Sequence, residues 1–313
     1  MKKYNNWVAL LLKQKTIFIL TVLSLCFCLA KGQKIDSLKS LLNEKSGLER
    51  CDILYQIAYE YVDFDNALGL QYATEAFKVA REYDDSLRIV KAGRIKSLAF
   101  RRLGKIDSAL ILSIEILPMA KRNNYIDELK HILNGLAALY AVKAFYDKAL
   151  KCHLESLELR EKYGNKFEVS VTLNNIGFVY YKMKDYDKAL SYYKQSLKLK
   201  TETHDNSSLD LLLLNISLCY AHKNNFPKAR SFVDQALSLC KEKKCSDSSL
   251  PNIYYNLGVI SFGLKDYSDA KTQFSKSFIL SKKQDNKRLQ LDNIVYLSQI
   301  YVQRNQLVLA QTI

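Results

Sequence analysis

Two stretches, Leu173-Asn174-Asn175-Ile176-Gly177-Phe178-Val179-Tyr180 and Ile253-Tyr254-Tyr255-Asn256-Leu257-Gly258-Val259-Ile260, each set a glycine inside an apolar run. Twelve residues after each glycine stands an alanine, in Tyr186-Asp187-Lys188-Ala189-Leu190 and in Tyr267-Ser268-Asp269-Ala270-Lys271. Both positions recur along the chain. The first is always small: Ala58, Ser97, Ala137, Gly177, Ser217, Gly258 and Ser298. The second is Gly69 and then Ala109, Ala149, Ala189, Ala229, Ala270 and Ala310, at steps of 40 residues with a single step of 41.

A fixed period of this length is the signature of a stack of supersecondary units. Around each position the apolar residues fall at helical spacing, as in Leu173, Ile176, Gly177 and Tyr180. The unit is therefore a helical hairpin whose two small residues let antiparallel backbones approach closely. An aromatic or aliphatic residue three before the second position, at Ile106, Tyr146, Tyr186, Phe226, Tyr267 and Leu307, is expected at the corner between the helices. Each hairpin leaves an apolar face that only its neighbours cover. Composition agrees: ten Gly and three Pro in 313 residues are too few for the many tight turns of an all-β fold. Pro227 and Pro251 fall near helix starts, where a missing N–H costs nothing, whereas Pro118 is expected to end or kink its helix.

This pattern resembles the tetratricopeptide repeat family over residues 48–313. The usual unit of that family is about 34 residues. Here it is longer and lacks the closing Pro, so the resemblance is to a long-unit variant. HEAT and armadillo units overlap this length, and the small positions with the corner aromatic favour tetratricopeptide. The resemblance implies an all-α, right-handed α-solenoid of about seven helical hairpins, with the first helix of every hairpin on the concave wall. Residues 33–47 read as a short N-terminal capping helix. The seventh hairpin stops one turn into its second helix, which raises the expectation of a chain continuing beyond Ile313.

Residues 1–32 read as a signal peptide. Lys2, Lys3, Lys13 and Lys15 precede the uncharged run Thr16–Ala30, which is shorter than the roughly 20 residues that span a bilayer. Ala30 and Gly32 predict cleavage before Gln33, and the protein is expected to be exported to a periplasmic or extracytoplasmic location. Leu25 and Phe27 before Cys26 and Cys28 do not suit a lipobox, and an uncleaved signal anchor is the alternative route to the membrane. Without this segment the net charge falls from +15 to +10. No basic block concentrates it, and export separates the chain from nucleic acid, so no nucleic-acid partner is expected. Five cysteines remain, too few for a disulfide framework, with Cys240 and Cys245 the one pair placed to bridge.

The sequence holds no phosphate loop, dinucleotide fingerprint, His-Glu-x-x-His, Gly-x-Ser-x-Gly or kinase motif set, and its four histidines are scattered over separate hairpins. The expectation is a non-enzyme with no cofactor and no metal, any appended histidine kinase domain lying outside the chain. Its partner is expected to be a protein or an extended peptide. The resemblance puts the candidate groove on the first helices, where Asn175, Asn215 and Asn256 stand two before the small position and Asn134 and Asn174 three before. An asparagine row resembles the ladder by which long tetratricopeptide superhelices bond a peptide backbone. The same residues also suit bonds between neighbouring helices that hold the stack. Phe178, Tyr181, Leu214, Leu218, Tyr255 and Phe262 are expected beside them, either as pockets or as core. Lys91, Arg94 and Arg101, with Arg102, form a basic patch able to hold a carboxylate or simply to face solvent. The family's Lys/Asn/Arg carboxylate clamp is not complete in any repeat. The arrangement resembles the exported sensor region of Bacteroidetes-type regulators, in which the array precedes a membrane helix and then a histidine kinase or helix-turn-helix domain. A free periplasmic or envelope assembly scaffold is the alternative function.

Overall fold

The structure is a computed structural model and describes residues 32–242 and 249–303. The signal segment, Cys245, Leu307 and Ala310 lie outside the described residues. Among those described, every regular element is a helix. They are α1 (32–44), α2 (Gly47–Tyr61), α3 (Asn66–Glu82), α4 (Ser86–Arg102), α5 (Ile106–Arg122), α6 (Ile126–Val142), α7 (Tyr146–Tyr163), α8 (Lys166–Lys182), α9 (Tyr186–Glu202), α10 (Leu209–His222), α11 (Phe226–Lys241), α12 (Ser249–Gly263), α13 (Tyr267–Lys283) and α14 (Lys287–Gln303). The chain is an α-solenoid of helical hairpins and divides into two compact units, one through Leu139 and one from Tyr140. No described helix is long and apolar enough to cross a membrane.

Helix ends explain the metre. A residue with positive φ recurs about every twenty positions, at Asp84, Gly104, Asn124, Ala144, Lys184, His204, Asn224, Lys265 and Asp285. That left-handed residue lets the next N–H reach back over the helix end, as in Asp85 N–H to Ala80 O at 3.0 Å and Asp185 N–H to Tyr180 O at 3.0 Å. The following residue then caps the next helix. Asp85, Asn165, Asp185, Asn225, Asp266 and Asn286 each accept a backbone N–H from the first turn beyond them. One or two residues thus close one helix and open its successor.

In the first unit α2 packs on α3, α3 on α4 and α4 on α5, while α2 also meets α4. Ile35, Leu38 and Leu42 of α1 are buried. Ser97 Oγ donates to Ala109 O at 2.9 Å and lies 2.6 Å from Ser113 Oγ. Pro118 does not end its helix, since α5 runs on to Arg122. Pro118 and Ile114 are both exposed, so the carbonyl that the proline leaves free faces solvent, and buried Ile116 and Ala120 hold the last turn in place.

In the second unit each helix from α7 to α14 packs on the next, and α10 meets both α8 and α12. Gly177 and Gly258 do the same work here with large partners. A Cβ at Gly177 would stand 2.7 Å from the Tyr193 ring, and one at Gly258 would stand 2.7 Å from Phe274. Tyr193 and Phe274 fill the space that glycine leaves and are almost fully buried. The corner residues pack as their position suggests, Tyr186 tilted against Tyr181 at 5.8 Å and Tyr267 edge-on to Phe262 at 5.5 Å. Tyr186 also stacks on His222 of the next hairpin at 5.0 Å, so one ring joins two repeats. Cys240 is disulfide-bonded, whereas Cys51, Cys152 and Cys219 are free thiols.

Candidate functional site

The second unit contains a cavity of about 260 Å³ built almost wholly from first helices. α8 supplies Phe178, Tyr181 and Lys182, α10 supplies Asn215 and Leu218, and α12 supplies Asn252 and Tyr255. The start of α14 adds Arg288, Leu289 and Asp292, with its cap Asn286, and Tyr193 is the one contribution from a second helix. The first helices of this unit therefore face a common hollow. Its curvature brings Arg288 to within 5.1 Å of the Phe178 ring, 110 positions away in sequence.

Floor and rim differ in chemistry. Tyr181 and Tyr255 form an aromatic floor tied into the core, with Tyr255 edge-on to Phe274 at 5.8 Å and to Tyr296 at 5.9 Å. Burial, the first cause for both phenols, pushes their pKa above the ordinary range. The Tyr181 hydroxyl sits 3.0 Å from His222 Nε2, and burial followed by the Lys184 charge lowers the His222 pKa. At the rim, Lys182 lies 5.5 Å from the Phe178 centroid, so this ring carries Lys182 and Arg288 together. Burial first, then the Arg288 charge, lowers the Lys182 pKa, and Asp292 opposes them.

Five of the residues expected in the groove meet here: Phe178, Tyr181, Asn215, Leu218 and Tyr255. Others do not. Asn256 is 2% exposed and donates to Asn252 O in its own helix, leaving its Oδ1 without a partner. Asn174 and Asn175 are partly buried off the cavity wall, and Asn174 Oδ1 receives a long 3.4 Å contact from Asn215 Nδ2, which joins neighbouring hairpins. Phe262 packs between Tyr267 and Tyr296, and Leu214 belongs to the core. The seven remaining cavity residues were not among those expected in the groove.

The geometry explains the difference. Relative to the small position of each helix, cavity residues run from one to five after it on α8 and from two before to one after it on α10. On α12 they lie three to six before it, and on α14 six or more before it. Each successive helix thus meets the hollow about one turn nearer its start, because stacked hairpins rotate. A ladder at constant offset therefore meets the hollow at Asn215, with Asn175 and Asn256 off its wall.

The first unit has its own cavity of about 170 Å³, and it brings Arg94, Arg101 and Asn134 together with Ser97 and His131. Arg94 is committed there, pairing with Glu128 and donating to Tyr55 Oη at 3.1 Å. Arg101 is partly buried, and burial with the neighbouring Arg102 lowers its guanidinium pKa. Lys91 does not line this cavity, and Arg102 pairs with Asp63 at 2.7 Å. No group of three metal-binding side chains occurs among the described residues.

Comparison with known proteins matches a tetratricopeptide repeat family profile to residues 129–202 and 168–242. Residues 129–242 are thereby identified as tetratricopeptide repeats. No curated protein sequence matches it. Among solved structures, the apo form of the quorum sensor NprR from B. thuringiensis is similar with a TM-score of 0.72 and 19% identity, over 90% of this chain and 79% of that one. A Rap protein complexed with competence and sporulation factor is similar with a TM-score of 0.61 and 13% identity, over 89% and 81%. Aspartyl phosphate phosphatase F from Bacillus subtilis gives 0.66 and 14%, over 84% and 68%. At these identities the likeness is one of fold.

Proposed function

We propose that the protein is a binding scaffold for an extended peptide or protein segment, held in the hollow of the second unit, and that this binding is the input of an exported signal-transduction regulator. The observation that carries the reading is the cavity itself: four successive first helices converge on one hollow with an aromatic floor and a rim of amides and charges. Apolar rings with a few placed polar groups suit peptide side chains and backbone amides. Similarity of fold to a quorum sensor and to a Rap protein bound to its factor supports a sensing role. The sequence pattern of residues 1–32 supports export. The side chains of the cavity supply orientation and burial to a ligand, and no reaction step is assigned to them.

The test is retention of a fluorescein-labelled random heptapeptide pool by the wild-type chain and by Leu218→Trp, whose larger side chain fills the hollow. Retention by the wild type and its loss in the variant, with unchanged thermal melting, supports the reading. Equal retention by both contradicts it. Export is checked by the mass of the mature protein, which is expected to begin at Gln33.

A further inference from the structure

We propose that the rim of this cavity is a carboxylate site, formed by Lys182 and Arg288 across the Phe178 ring, and that the segment it receives is an acidic peptide. The inference rests on the peptide-binding reading and adds the chemistry of the ligand.

Three observations converge. The two cations lie 5.5 and 5.1 Å from one ring centroid, one from α8 and one from α14, so each is held where the other repels it. Among the described residues neither makes an ion pair within 4.0 Å, although such pairs form elsewhere even at exposed sites, as between Lys45 and Glu49 or Arg230 and Asp234. Lys182 is partly buried, and desolvation together with Arg288 makes its charge costly. Two like charges brought together and left unpaired in a partly enclosed hollow are what an incoming anion relieves.

The surroundings favour a carboxylate carried on a peptide. Asn286 and Leu289 place the first turn of α14 on the wall beside Arg288, which adds the positive end of a 17-residue helix to the two side chains. Asn215 and Asn252 line the same hollow and suit backbone amides, while Leu218 and Tyr255 take an apolar neighbour. Asp292 lines the same hollow, so the local balance is two cations against one anion. A single carboxylate neutralises it, whereas a dianionic phosphate overshoots.

The experiment uses the full chain with two random heptapeptide libraries, one C-terminally amidated and one with a free C-terminus, and reads the captured composition by mass spectrometry. Enrichment of Asp and Glu in the amidated library by fivefold or more is the expected result and identifies a side-chain carboxylate. Enrichment confined to the free-acid library, without Asp or Glu preference, supports the same site with the terminal carboxylate as its ligand. The Lys182→Gln, Arg288→Gln double variant is expected to retain peptides with the acidic preference reduced below twofold, and Arg288→Lys to retain most of it. Equal capture from both libraries with no preference for Asp or Glu, or capture with a preference for Lys and Arg, overturns the carboxylate site and leaves the peptide groove standing. Capture of nothing overturns both. Should the double variant fail to fold, the wild-type composition alone decides.

Discussion

Ser217 Oγ donates to the backbone carbonyl of Ala229 at 2.9 Å, and these two residues are the small positions of one hairpin, twelve apart in sequence. Ser97 makes the same bond to Ala109 at 2.9 Å. In these two hairpins a serine hydroxyl closes the helix pair. Where the first position is glycine, as at Gly177 and Gly258, an aromatic ring from the second helix closes it instead.

This alternation predicts different costs for small substitutions. Gly177→Ala drives a methyl into the Tyr193 ring and is expected to destabilise by about 1–3 kcal/mol. Ser217→Ala loses one buried bond to a carbonyl that its own helix already occupies, and is expected to cost about 1 kcal/mol. Gly135→Ala, where nothing stands within 4 Å of the added carbon, is expected to stabilise by up to about 1 kcal/mol through helix propensity. Urea midpoints check the order; equal midpoints for Gly177→Ala and Gly135→Ala contradict it.

Arg94 belongs to the architecture more than to a free basic patch. Its guanidinium meets Glu128, which is 8% exposed, so Arg94→Met strands a buried carboxylate. The expected loss is about 2 kcal/mol, and Lys91→Ala is expected to stay within about 0.5 kcal/mol of wild type. Denaturant melts of the two variants separate the roles, and similar losses contradict the assignment.

Stability depends on pH through His153, which is 3% exposed and whose Nδ1 has no partner. Burial first, then the Arg160 charge, pulls its pKa down to about 4. The unfolded chain takes up that proton near pH 6.5 and the folded chain only near pH 4. Its contribution is thus complete above pH 6.5 and declines as pH falls toward 4, by roughly 3 kcal/mol at most. His222, also lowered by burial, adds a loss of the same sign. His153→Gln is expected to flatten the stability curve between pH 4 and 6.5; a slope equal to wild type contradicts this.

The asparagines divide by depth. Asn215→Ala is expected to weaken peptide retention severalfold with little change in melting, because Asn215 lines the hollow. Asn256→Ala acts on stability, since Asn256 is buried and bonded within α12. Retention and melting measured on both variants check this, and reversed effects contradict it.

The hairpins were legible because the same contact recurs in every one. Close approach needs a small residue wherever the two backbones meet, so Gly177 and Ala189, or Ser217 and Ala229, mark it at a fixed spacing. A second signal went unread: Asp or Asn at 65, 85, 165, 185, 225, 266 and 286 caps a helix each time, and its multiples of about twenty residues give the half-repeat directly. The cavity was only half legible. Phe178, Tyr181, Asn215, Leu218 and Tyr255 lie within four positions of the small residue of their own helix, the stretch that the repeat itself marks. Asn252, Arg288 and Asp292 lie at offsets set by the rotation between stacked hairpins, and no local pattern carries that rotation. The carboxylate site is invisible in sequence for the same reason, since Lys182 and Arg288 come together only through the curvature of four hairpins.

The central claim, that the hollow lined by first helices is where a peptide binds, is tested most directly by placing a photo-crosslinking benzoylphenylalanine at Phe178 or at Ile279. Ile279 lies on α13 away from the cavity and is 56% exposed. After irradiation with the heptapeptide pool, the account predicts adducts at position 178 and few at 279. Equal labelling at the two positions, or labelling at 279 alone, would contradict it.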